Sequence, residues 1–204
     1  MIALIDYGMG NLSSVKKAFD AIGAIDVKIT SCQKEILKSS KIILPGVGNF
    51  GDGIRTLKKL GLDKTLLDCV NRGVPLFGIC LGLQLLFDSS EEAPGERGLG
   101  IIKGTVVKFD QRHKLKIPQI GWNSVSKIKE GGYLSGIESG DFFYFVHSYY
   151  VVPEDKSLVA LTTSYGEEFC SCIVGSRIFA TQFHPEKSQD KGLTLIKNFV
   201  GYTL

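Results

Sequence analysis

Several features are scarce in this chain, and each scarcity excludes something. Long apolar runs are missing. The longest, residues 74–87, falls short of the roughly 20 residues a bilayer span needs and contains Gly78 and Gly82, so no membrane segment is expected. No export signal is expected either, because Asp6 ends the first apolar run after Ile5. One-sided charge is missing: 24 Lys and Arg against 21 Asp and Glu leave +3, too balanced for a nucleic-acid surface. The doublets Lys16-Lys17 and Lys58-Lys59 fit solvated helix faces, and His113-Lys114-Leu115-Lys116 is a denser basic surface patch. Ordered cysteine spacing is also missing. The five cysteines are an odd number, and Cys170-Ser171-Cys172 matches no common zinc or redox pattern. Reduced thiols in a cytoplasmic protein without a metal site are the expectation, with Cys32, Cys69, Cys170 and Cys172 as packing residues.

What is present is ordinary for a globular protein: 204 residues, 44% hydrophobic and 22% charged, with no internal repeat or dividing linker. One domain over residues 1–204 is expected. Ile2-Ala3-Leu4-Ile5 reads as a buried strand. Leu12, Val15, Phe19 and Ile22 at helical spacing predict a helix over 12–22, capped by Asn11. Strands are expected over 26–29, 41–44 and 75–79, with helices over about 50–60, 63–72 and after residue 80. Strands alternating with helices imply a mostly parallel sheet covered on both faces. After residue 95, glycines punctuate strand-like runs at 105–109, 142–146, 158–163 and 178–183, which read as antiparallel strands and turns before a last helix over about 190–201.

One turn stands out chemically. Gly78-Ile79-Cys80-Leu81-Gly82 lies between the apolar run Val74-Pro75-Leu76-Phe77 and an amphipathic stretch, Gln84-Leu85-Leu86-Phe87. Strand, sharp turn and helix with Gly-x-Cys-x-Gly at the turn form the thiol version of a nucleophile elbow. Flanking glycines permit the crowding and the strained middle residue, and a helix N-terminus favours a thiolate. A free cysteine is often only a buried packing residue. A nucleophile, however, needs a base and a group to orient that base. Phe183-His184-Pro185-Glu186-Lys187 offers both, since in an extended segment residues two apart share a face.

Together these motifs resemble the class I glutamine amidotransferases, whose glutaminase domains carry a Cys-His-Glu triad. Asp6-Tyr7-Gly8-Met9-Gly10-Asn11-Leu12, Pro45-Gly46-Val47-Gly48, Gly121-Trp122-Asn123, Tyr144-Phe145-Val146-His147-Ser148-Tyr149 and Gln182-Phe183-His184-Pro185-Glu186-Lys187-Ser188 are similar to the glutaminase subunits of imidazole glycerol phosphate synthases, which act in histidine biosynthesis. The resemblance runs in order over nearly the whole chain. It implies a flavodoxin-like class I glutaminase fold, an α/β architecture with a mostly parallel sheet flanked by helices and additional antiparallel strands. It also implies hydrolysis of L-glutamine without a cofactor, and a heterodimer in which ammonia passes to a cyclase subunit.

By the same resemblance, Cys80 is the nucleophile, His184 the base and Glu186 its orienting carboxylate. Leu81 N–H and the loop at Val47 and Gly48 form the oxyanion hole, through a peptide mis-set at rest. Gln84, Glu92, Ser148 and Tyr149 bind glutamine, Glu92 at the α-ammonium. Asn11, Trp122 (the only tryptophan) and Lys187 face the partner. His147 reads as a structural hydrogen-bonding residue. Gly8-Met9-Gly10-Asn11 lacks the third glycine of a dinucleotide fingerprint and reads as a tight turn. The chain departs from the pattern at Gln119, where relatives commonly show histidine. That departure leaves open a paralogous glutaminase feeding another synthase, such as a sugar amidotransferase of surface polysaccharide synthesis.

Overall fold

The computed structural model describes residues 1–110 and 115–202, so His113 and Lys114 of the basic patch lie outside it, while Leu115 and Lys116 are exposed. Its first half alternates β1 (Ile2–Ile5), α1 (Leu12–Ala21), β2 (Val27–Thr30), α2 (Gln33–Ile36), β3 (Lys41–Leu44), α3 (Phe50–Lys59), α4 (Leu62–Asn71), β4 (Leu76–Ile79) and α5 (Leu81–Leu85). The second half is mainly strands: β5 (Ser89–Ser90), β6 (Gly104–Lys108), β7 (Gln119–Ser124), β8 (Ser126–Lys127), β9 (Phe142–His147), β10 (Tyr149–Pro153), β11 (Val159–Tyr165), β12 (Glu167–Val174) and β13 (Ile178–Thr181). Helix α6 (Gln189–Gly201) closes the order.

The large sheet has the order β2-β1-β3-β4-β13-β12-β10-β6-β5, with β11 on β12 and β8 on β11. Strands β2, β1, β3, β4 and β13 run parallel, and β12, β10 and β6 continue antiparallel. Strands β7 and β9 form a separate antiparallel pair.

Period-two alternation between two covered faces explains why β1 and β4, and β3 after Lys41, carry no charged or polar side chain. Ile2, Leu4, Ile43, Phe77 and Ile79 face one core with Val15, Phe19, Leu195 and Phe199 of α1 and α6. Ala3, Ile5, Ile42, Leu44 and Leu76 face the other, with Ile36, Ile54, Leu57, Leu66 and Leu83 of α2 to α5. Both faces are covered, and the C-terminal ends of the parallel strands are left to carry chemistry.

Lys41, at the start of β3, ties this sheet to α6. Its Nζ donates to the carbonyls of Phe199, Val200 and Tyr202 at 2.7, 2.6 and 2.8 Å. These are carbonyls at the C-terminal end of a helix, where a cation offsets the dipole.

Four expectations change. Residues 178–183 read as part of an antiparallel half, but β13 returns to the centre and pairs in parallel with β4. Local pattern distinguishes neither strand direction nor partner. Gln84-Leu85-Leu86-Phe87 is not amphipathic in place: all four are buried, because α5 is covered on every side. Strands β7, β10 and β12 were not anticipated. Strand β12 contains Cys170, Ser171 and Cys172, all buried, which with buried Cys69 accords with packing roles for these thiols, whereas Cys32, expected to pack, is exposed just before α2.

Candidate active site

Cys80 stands at the tip of β4 with φ 53° and ψ −107°, a conformation that strains any residue with a side chain. The backbone N–H of Cys80 is fixed on Thr181 O of the neighbouring β13 at 2.7 Å. The turn closes because Gly82 lies against β3: a Cβ there would run into Leu44 O. At Gly46 a Cβ would collide with the Tyr7 hydroxyl and come within 2.8 Å of Leu81 Cβ. Tyr7 is itself locked, its hydroxyl donating to Pro45 O at 2.9 Å. Burial, and then negative charge on Cys80, push the Tyr7 phenol well above its ordinary range, so it stays a neutral donor.

His184 follows β13 in extended conformation and caps a short 3-10 turn over Pro185–Lys187. The sequence reading had the segment extended through Glu186. Proline at the first turn position instead starts a helical turn, yet Glu186 still reaches its target: Oε1 meets His184 Nδ1 at 2.7 Å, with both side chains 2% exposed. The other ring nitrogen, Nε2, is buried and makes no well-formed hydrogen bond. Burial lowers the pKa of this imidazole. The negative charge of Cys80, a hydrogen-bonding contact with its sulfur, and Glu186 outweigh burial and raise it to about 10. An imidazole whose pKa is raised beside a cysteine is shifted in the direction that a thiolate–imidazolium pair requires.

A cleft of about 410 Å³ opens at this point. It brings Cys80, His184 and Leu81 together with Val47, Gly48, Gln84, Glu92, Ser148, Tyr149 and Lys187, residues far apart in sequence. Glu186 stands behind His184. Among the described residues, no cluster of His, Cys, Asp and Glu has the arrangement of a metal site.

The remaining contacts give each residue a physical part. Glu92 Oε2 accepts from Phe50 N–H at 2.7 Å, at the start of α3, which holds the carboxylate at the cleft wall. Gln84 Nε2 donates to Tyr149 O at 2.9 Å and to Gln182 Oε1 at 3.0 Å, so its own oxygen remains for a ligand. Leu81 N–H donates to Gly46 O at 3.3 Å. In this state the expected oxyanion donor is occupied by a loop carbonyl.

Lys187 Nζ lies 5.6 Å from the Tyr144 ring centroid, and Tyr144 packs edge-on against Trp122 at 6.2 Å. Trp122 lies outside the cleft and is 46% exposed, beside Ile120 at 59% and Phe142 at 56%. Strand register places Ile120, Trp122, Phe142 and Tyr144 on one face of the β7–β9 pair. Asn11 is exposed and caps α1, accepting from Ser14 N–H at 3.2 Å.

Two residues were missed or misjudged from sequence. Gln182 is wholly buried and its Nε2 lies 3.7 Å from Cys80 Sγ. The available signal was a polar side chain joining an apolar strand to the His184 segment. Gln119 is 3% exposed and meets His147 Nε2 at 3.0 Å, while His147 Nδ1 donates to Tyr149 O at 2.8 Å. His147 is thus structural as expected, and Gln119 is its buried companion.

The model of the class I glutamine amidotransferase family matches residues 3–201. The imidazole glycerol phosphate synthase subunit HisH of Rhodopirellula baltica is 48% identical, with 98% of this chain and 96% of that protein covered. The subunit of the same name in Methanocaldococcus jannaschii is 50% identical, with 98% of each covered, and that of Aquifex aeolicus is 50% identical with 96% and 94% covered. A solved glutamine amidotransferase from Thermotoga maritima superposes with a TM-score of 0.69 at 14% identity, covering 98% of each chain. Another solved glutamine amidotransferase gives 0.75 at 17% identity, covering 98% of this chain and all of the other.

Proposed function

The chain belongs to the class I glutamine amidotransferase family, and from that premise we propose that it is the glutaminase subunit of an imidazole glycerol phosphate synthase, feeding ammonia to a cyclase subunit in histidine biosynthesis. The observation that carries the chemistry is the pairing of a strained, cleft-lining Cys80 with a buried His184–Glu186 couple. The observation that carries the pathway is the identity of 48–50% with HisH subunits over nearly the full length. Those names favour this reading over a glutaminase for a sugar amidotransferase, to which only Gln119, buried against His147, pointed.

In the reaction, the Cys80 thiolate attacks the side-chain amide carbon of L-glutamine and the carbonyl oxygen takes negative charge. Collapse of the tetrahedral intermediate expels ammonia, which takes its proton from His184, and leaves a γ-glutamyl thioester. A water that gives its proton to the same ring hydrolyses the thioester to glutamate and restores the thiolate. Glu186 holds the Nδ1 proton throughout. Gln84 and Glu92, with backbone groups of Ser148 and Tyr149, hold the substrate.

The oxyanion needs donors that the resting loop withholds, since Leu81 N–H is bonded to Gly46 O. Gly46 C=O and Val47 N–H belong to one planar peptide. Rotating that peptide frees Leu81 N–H and turns a second donor toward the oxyanion. The rotation couples to the acceptor-loaded cyclase, whose docking face is the surface of Ile120, Trp122 and Phe142, with Lys187 at its border. The deciding experiment is glutamine hydrolysis by the chain alone, with the cyclase, and with the cyclase plus its acceptor ligand. A rate near zero alone that rises by orders of magnitude in the full mixture is expected; equal rates in all three would overturn the gated-subunit reading.

A further inference from the structure

Building on the glutaminase reading, we infer that Gln182 is a positioning residue for the Cys80 sulfur, and that a chain of hydrogen bonds with one permitted direction keeps its N–H, not its C=O, on that sulfur.

The direction follows from donors and acceptors alone. A side-chain amide looks alike from either end, so its orientation must come from its neighbours. Tyr149 O is a backbone carbonyl and only accepts. It accepts from His147 Nδ1 at 2.8 Å and from Gln84 at 2.9 Å, so the atom of Gln84 at that point must be nitrogen. The second hydrogen of the same nitrogen points at Gln182, 3.0 Å away, so the atom of Gln182 there must be oxygen. The remaining end of the Gln182 amide, its N–H₂, then lies 3.7 Å from Cys80 Sγ. One immovable carbonyl thus fixes two amides in series and delivers a donor to the nucleophile.

The placement of Gln182 makes this bond consequential. The residue is 0% exposed, and its backbone N–H is held by Ser171 O at 2.9 Å. Water is excluded, so the side chain has few alternative partners, and a Gln182 amide turned the other way would set two N–H₂ donors against each other at Gln84. A donor to sulfur favours the thiolate, whereas an oxygen in the same place disfavours it. Other groups also act on this sulfur: His184 from the segment after β13, Tyr7 from the end of β1, and Val146 O of β9, 4.0 Å away, which the protonated thiol addresses. Glu92, Lys187 and His147 line the same cleft. None of these substitutes for Gln182, because none shares its constrained amide.

The test reads Cys80 directly and does not require turnover. Alkylation by iodoacetamide is followed as a function of pH in the isolated full-length chain, with mass spectrometry resolving the Cys80 peptide from that of exposed Cys32, an internal control. Gln182→Met keeps the shape and removes the donor. Its rate–pH midpoint at Cys80 is expected to rise by about one unit, which is tenfold less thiolate below the midpoint, while Cys32 stays unchanged. Gln182→Glu is expected to raise the midpoint further, because a carboxylate replaces the donor. Gln84→Met leaves Gln182 in place but unlocks its direction, and an intermediate rise is expected. If Gln182→Met does not fold, the other two variants carry the same test. Unmoved Cys80 midpoints in the folded variants, with only thermal stability lowered, would overturn the inference and reduce Gln182 to packing. Failure of the glutaminase reading would look different: the Cys80 midpoints would still shift, but the wild type would release no ammonia from glutamine with its cyclase present.

Discussion

Leu81 N–H and Gly46 C=O hydrogen-bond to each other at 3.3 Å, so the donor that would hold an oxyanion is spent on the loop opposite. Gly46 is packed so closely between Tyr7 and Leu81 that a side chain has no room in this arrangement. Gly46→Ala is therefore expected to hurt twice. Overpacking should lower unfolding free energy by about 2 kcal/mol, and a loop that cannot rotate should cut partner-stimulated glutaminase activity by roughly 10² or more. Urea unfolding and the stimulated rate, measured on the same preparation, check both. Full stimulation in this variant would show that the peptide does not need to turn.

Cys80→Ala should leave the fold intact and lower glutamine-dependent synthesis by roughly 10³ or more. Synthesis from added ammonium salt by the same complex should continue, since the cyclase does not use the thiol. Retention of the glutamine-dependent rate would remove Cys80 from the mechanism.

His147 gives a stability signature in mild acid. Burial holds its pKa down, from the ordinary 6.5 to about 4, with the hydrogen bond to Tyr149 opposing. The unfolded chain therefore takes up a proton on this ring near 6.5 while the folded chain waits until about 4. Between those values the unfolded state binds more protons, so stability is fully present above 6.5 and falls as pH drops toward 4. The loss should approach about 3 kcal/mol. Urea midpoints at pH 7.5 and 4.5 for wild type and His147→Gln supply the check: the variant should lose distinctly less on acidification, and parallel losses would assign the effect to other groups.

Trp122 is half-exposed on an apolar strand face, so its removal should cost little inside the subunit and much at an interface. Trp122→Ala is expected to weaken cyclase binding by about 2 kcal/mol while shifting thermal unfolding only slightly. Lys187→Ala should leave binding nearly unchanged but raise the glutamine consumed per acceptor aminated, since Lys187 borders the cleft and packs on Tyr144. Isothermal titration and paired product counts separate the two effects. One-to-one coupling and unaltered affinity in both variants would move the docking face elsewhere.

Much of this site was legible in the sequence because its chemistry is concentrated in short motifs. Cys80 is flagged by its glycines, and His184 and Glu186 by their spacing around Pro185. The parallel half was legible because strands buried on both faces leave an uninterrupted apolar signature, as in Ile2–Ile5 and Leu76–Ile79. What stayed hidden depends on partners distant in sequence. Nothing local tells that β13 lies beside β4, and that adjacency alone brings Gln182 to Cys80. Gln119 likewise looked like a clue to the partner until strand pairing placed it opposite His147. The 3-10 turn at Glu186 is missed because the shared face of His184 and Glu186 is read from an extended segment, whereas proline at a first-turn position starts a helical turn.

The clamp of Lys41 on the end of α6 has a mechanical consequence. Strand β3 is anchored at its first residue and carries the Pro45–Gly48 loop at its last, while α6 is anchored at its final turn and begins just beyond Glu186. Strand and helix are thus two struts pinned together at the floor of the molecule, one bearing the oxyanion loop and the other the base. Neither can slide lengthwise against the other without breaking three bonds to one ammonium. A push arriving at the loop from outside has no axial travel available and must be spent as torsion, so the elements that carry the chemistry act as a hinge with a fixed pivot and not as a piston.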